Sequence, residues 1–101
     1  MHIEFVRSGG FAGIRLAASI DTQNLPAEQA TTLDKLIADS DFFDLPEQIK
    51  PPTPGPDRFE YEVGISSAGQ THSVNVSEAV IPDRLRPLLD LLTTIAMSPR
   101  K

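Results

Sequence analysis

The chain has 101 residues, with nine Lys and Arg against fourteen Asp and Glu, a net charge of −5 at neutral pH. This length holds one small domain with its own core, and 40% hydrophobic with 23% charged residues is ordinary globular usage, which argues against a disordered tail, a collagen-like rod or a coiled coil. Neither nucleic acid nor an anionic membrane is an expected partner, because the cations (Arg7, Arg15, Lys35, Lys50, Arg58, Arg84, Arg86, Arg100 and Lys101) are scattered and form no basic patch.

The chain contains no cysteine, so disulfides, thiolate zinc sites, iron–sulfur clusters and a thiol nucleophile are excluded. Residues 1–7 lack the apolar region of a signal peptide, and no stretch approaches the roughly 18 apolar residues of a membrane span. The expectation is a soluble protein made without a signal peptide, folded as a single domain over 1–101.

Residues 2–7 and 14–20 read as two strands. Ile3 and Phe5 lie on one face of the first; Ile14, Leu16, Ala18 and Ile20 alternate with Arg15, Ala17 and Ser19 in the second. The glycine-rich segment Ser8-Gly9-Gly10-Phe11-Ala12-Gly13 joins them as a hairpin tip. A helix follows over 26–39, with Asp21 or Asn24 as its cap, Pro26 in its first turn, and Ala30, Leu33, Leu36 and Ile37 as its apolar stripe. Residues 39–46 end it in a turn that tucks one or both of Phe42 and Phe43 under the domain.

Five of the nine prolines fall at 46, 51, 52, 54 and 56, so residues 46–57 read as an extended connection inside the domain. A second hairpin comes next. Phe59, Tyr61, Val63 and Ile65 form one apolar row, His72, Val74 and Val76 another, and residues 66–69 supply the turn. Asp83 is the expected cap of a last helix carrying Leu85, Leu88, Leu89, Leu92, Ile95 and Ala96, with Pro87 near its first turn; residues 98–101 fray. The pattern predicts an α+β fold of order ββαββα: a four-stranded antiparallel sheet with two helices packed on one face and the other face open.

Catalytic constellations are missing from this pattern. His2 and His72 are the only imidazoles and stand in no metal-ligand spacing, so His72 reads as a partly buried structural histidine and no metal or cofactor is expected. The carboxylates of Asp39, Asp41, Asp44 and Glu47 read as a solvated acidic edge. No serine lies in a nucleophile elbow, and Gly9, Gly10 and Gly13 precede a strand where a phosphate loop needs a helix. The protein is not expected to be an enzyme.

Phe11 is the anomaly, a large ring among three glycines where turn chemistry favours small polar residues. It either folds back onto the core edge or projects as an apolar anchor for a partner. The functional class these residues suggest is binding.

Four segments carry a resemblance: residues 3–14, which include Arg-Ser-Gly-Gly-Phe-Ala-Gly at 7–13, then residues 36–46, 57–63 and 85–89. Together they resemble the emfourin family, small protein inhibitors of protealysin-type, thermolysin-like zinc metalloproteases. The resemblance implies an antiparallel sheet with helices on one side. It also implies a cytoplasmic bacterial or archaeal protein, often encoded beside its target, that blocks the target's active-site cleft, with the zinc belonging to the protease. On this reading Ser8, Gly9, Gly10, Phe11, Ala12 and Gly13 form the protease-contact strip, and the inhibitor is a monomer when free. The alternative is a non-inhibitory interaction module that binds through the acidic outer sheet face around Glu60 and Glu62.

Overall fold

Period-two alternation places every other side chain of each strand on one side of a sheet, and those rows form the core of this protein. The structure, a computed structural model, describes residues 1–9, 15–50 and 59–97. Its elements in chain order are β1 (His2–Gly9), β2 (Leu16–Asp21), α1 (Ala27–Asp39), β3 (Gln48–Ile49), β4 (Phe59–Ser67), β5 (Gln70–Ser77) and α2 (Arg86–Met97). The five strands form one sheet in the order β2-β1-β4-β5-β3. Ile3, Phe5, Ile20, Val63, Ile65, Val74 and Val76 point to one face and are buried with Leu33 and Ile37 of α1 and Leu88, Leu89 and Leu92 of α2. His2, Glu4, Ala17, Ser19, Glu62, Thr71 and Ser73 have the opposite parity and are exposed. Both helices therefore lie on one face, as the polar alternate rows require.

The sheet corrects the four-stranded antiparallel expectation and the order ββαββα. A fifth strand, β3, lies inside the segment 46–57 read as a connection, and it pairs parallel to β5 with Gln48 opposite Asn75 and Ile49 opposite Val76. The physical reason is that Gln48 and Ile49 keep their amides between Pro46 and Pro51, and the Glu47 carbonyl accepts the Asn75 amide at 2.7 Å. Two residues have no period to read, so only the docking of the chain against β5 makes them a strand. Residues 51–57 of that connection, like Ile14 and residues 98–101, lie outside the described residues.

Helix starts also differ from expectation. Asp21 caps a single 3-10 turn, Thr22–Asn24, by accepting the Gln23 amide at 3.1 Å, while α1 begins at Ala27 with Pro26 at its N-cap position. Before α2, the Pro82 carbonyl accepts the amides of Leu85 and Arg86, so the turn that contains Asp83 closes on the backbone. After α1, Asp41 takes a left-handed conformation (φ 53°) and turns the chain so that Phe42 is buried and Phe43 half-buried.

The β4–β5 hairpin closes through Ala68 and Gly69, both at positive φ (49° and 84°), between the paired residues Ser67 and Gln70. Two consecutive left-handed residues are the mirror-image turn that prefers Asn-Gly. Ala68→Asn should therefore raise stability by about 0.5–1 kcal/mol, measured as the shift of the urea midpoint at constant slope.

Candidate functional site

Strand β1 lies inside the sheet, and its two neighbours hold it to different lengths. Its pairing with β2 ends at Arg7 opposite Leu16, whereas its pairing with β4 continues through Ser8 opposite Glu60 to Gly9 opposite Phe59. Ser8 and Gly9, read from sequence as part of the tip, are thus strand residues that form its base. Gly9 is exposed at φ 98°, a left-handed position that strains any residue with a Cβ.

The base is braced from the side. The Arg7 guanidinium stands 4.9 Å over the Phe59 ring, and the Phe59 amide donates to Glu78 Oε1 at 2.9 Å. Gly10, Phe11, Ala12 and Gly13, the rest of the expected contact strip, lie outside the described residues. The chemistry available at the base is that of a support: a backbone paired with strands on both sides as far as Arg7 and with β4 alone at Ser8 and Gly9.

On the open face, sequence reasoning missed a polar cluster. The register sets Glu4 opposite Ser19 and His2 opposite Asp21, and His2 Nε2 lies 2.9 Å from Glu4 Oε2 and 3.2 Å from Ser19 Oγ. Hydrogen bonds from Ser19 and His2 hold the Glu4 carboxyl below the ordinary carboxylate range. Serine, histidine and carboxylate meet here, but both contacts fall on one ring nitrogen, whereas a base that activates a hydroxyl uses one nitrogen for each partner. All three side chains are exposed, so the cluster is a surface network. The signal that could have found it was the hairpin register, which depends on the length of strand paired beside the tip.

His72 is half-buried, with Nε2 at 2.7 Å from the Leu45 carbonyl oxygen and its ring 5.6 Å from that of Phe42 in an edge-on arrangement. It occupies the structural place expected of it. Within the acidic run, Asp41 pairs with Arg84 and joins the turn after α1 to the segment before α2. The acidic pair on the outer face is weaker than its sequence suggests, because Lys50 Nζ lies 3.2 Å from Glu60 Oε1 and so pairs one of the two carboxylates, Glu60 and Glu62. Among the described residues, no group of three or more His, Asp or Glu side chains is placed to hold a metal ion, and no helix is long and apolar enough to cross a membrane.

A five-stranded mixed sheet, backed by two helices on one face and with the glycine-rich sequence 9–13 following on from an interior strand, defines a small two-layer α+β protein. The chain belongs to the emfourin family, whose model matches residues 5–93 and so takes in the whole of Ser8 to Gly13. Comparison with curated proteins and with solved structures finds no match.

Proposed function

We propose that this protein is a single-domain inhibitor of a protealysin-type, thermolysin-like zinc metalloprotease, acting in the cytoplasm by filling the active-site cleft with the hairpin tip 8–13. Membership of the emfourin family over residues 5–93 carries this reading. The geometry of β1 supports it. A thermolysin-like cleft holds an extended chain and favours a bulky apolar residue just after the cut, which Phe11 supplies. The strand that leads into the contact strip is paired on both sides as far as Arg7 and with β4 as far as Gly9, so Ser8 and Gly9 are ordered before binding, and such preorganisation gives affinity without chemistry. No catalytic group or metal is required from this chain, since the zinc is the protease's own.

The test is a titration of peptide cleavage by a thermolysin-like protease, taking first the one encoded next to this protein and then thermolysin. The expected result is loss of activity that is complete near one equivalent of the inhibitor. Full activity of both enzymes in excess inhibitor overturns the reading.

A further inference from the structure

Among the described residues, strand β2 is an outermost strand, with β1 as its sole neighbour in the sheet. The Thr22 amide donates to the Met1 carbonyl at 3.1 Å, which makes Met1 and Thr22 a closely hydrogen-bonded pair. Such pairs alternate along an antiparallel ladder. Leu16, Ala18 and Ile20 therefore turn their amides and carbonyls to β1, while Arg15, Ala17, Ser19 and Asp21 turn theirs outward.

Exposed edges are usually blunted by brevity, proline, charge or a bulge. The opposite edge follows that rule, being the two-residue β3 between Pro46 and Pro51 with Lys50 beside it. The β2 edge does not. Its middle, Leu16–Ile20, carries no charge and no proline, Arg15 and Asp21 stand at its two ends with opposite charge, and the six pairs of Leu16–Asp21 with β1 run without a bulge. Its outward-directed residues Ala17 and Ser19 are small and exposed, so another strand can approach closely.

We infer that this edge is a self-association surface on which two copies of the chain pair β2 against β2, antiparallel and centred on Ala18. Charge complementarity selects both the occupant and the register. With Ala18 opposite Ala18 of the second copy, Ala17 faces Ser19, Leu16 faces Ile20, and Arg15 faces Asp21. The last pair occurs twice by the two-fold symmetry. Shifting the centre to Ala17 or Ser19 breaks both Arg15–Asp21 pairs. Asp21 Oδ1 accepts the Gln23 amide, and the other carboxylate oxygen remains for the arginine.

The hydrogen-bonded pairs of this register are those formed by the outward-facing residues, as an antiparallel ladder requires. Leu16, Ala18 and Ile20 continue the core-facing row across the axis, so both helix layers lie on the same side of a ten-stranded sheet. The two Leu16 ends lie at opposite ends of the junction, and pairing leaves each Gly9 at its own end. The monomer expected from sequence is replaced by a concentration-dependent dimer, and the inference does not depend on the inhibitor reading.

Sedimentation equilibrium between about 10 µM and about 1 mM protein tests it, a range that spans micromolar to millimolar dissociation. The expected result is a monomer–dimer equilibrium. Arg15→Asp should raise the dissociation constant about tenfold, because it turns two attractive cross-strand pairs into repulsive ones. Adding Asp21→Arg to the same chain should recover the affinity. Ala17→Pro removes an outward amide, leaves the β1 ladder intact and should abolish the dimer, with circular dichroism confirming the fold.

A wild-type chain that stays monomeric throughout overturns the inference. So does a dimer indifferent to Ala17→Pro. A dimer that responds to Ala17→Pro but not to Arg15→Asp, or that the exchanged pair fails to restore, overturns the register.

Discussion

Replacement of Phe42 by alanine is expected to destabilise the protein by about 3–5 kcal/mol, the usual cost of emptying a buried aromatic site. Phe42 is 1% exposed, and its ring stands edge-on to both Phe43 and His72, each with a centroid separation of 5.6 Å. The backbone around it leaves little freedom to collapse into the void. Asp41 is left-handed, the Asp44 amide bonds the Asp41 carbonyl at 2.9 Å, and the Leu45 amide bonds the Phe42 carbonyl at 3.1 Å. The Leu45 carbonyl also holds His72, so loss of the ring loosens the contact between this turn and β5.

Each kcal/mol shifts the melting temperature of a domain this size by about 4–8 °C, so a fall of roughly 12 °C or more is expected in thermal unfolding followed by circular dichroism. Phe43→Ala, at a half-buried position, should cost clearly less. Equal effects of the two substitutions would show that Phe42 is not the ring that closes this end of the core.

Phe11→Ala is expected to weaken inhibition of the target protease by about 30-fold or more, the loss typical of an anchor residue at an interface centre. On the cleft-filling reading the ring meets the protease, so the melting temperature of the free inhibitor should stay within about 4 °C, the scale of a surface change. The two alternatives for Phe11 predict opposite outcomes. A ring folded back on the core edge would lower the melting temperature and leave the inhibition constant nearly unchanged. Glu62→Lys serves as the comparison, since the outer-face alternative gives it the larger effect on binding. Inhibition constants for Phe11→Ala and Glu62→Lys, with thermal melts of both, decide the matter.

Much of the layer arrangement was legible because period two and period 3.6 are local properties. The rows Ile3/Phe5, Val63/Ile65 and Val74/Val76 and the stripes Leu33/Ile37 and Leu88/Leu89/Leu92 are each buried as read, and together they make one core. The family was legible too, in the residues around Arg7–Gly13, and the family match over 5–93 confirms it. At the candidate site, Ser8 and Gly9 were misplaced by a strand end, because β1 runs on against β4 after β2 has stopped. Strand length there is set by a partner fifty residues or more away in sequence, which local alternation cannot register.

By itself the sequence determined what this protein buries and which family it belongs to: local spacing decides which side chains share a face, and a short run of residues around the tip is distinctive. Only the tertiary structure decided the neighbours. The parallel strand Gln48–Ile49, the meeting of His2, Glu4 and Ser19, the pairing of Glu60 with Lys50 and the outermost position of β2 all depend on contacts between distant segments. Closing the core selects among such contacts, because the strands must bring their apolar rows beneath the two helices while leaving the polar rows in water.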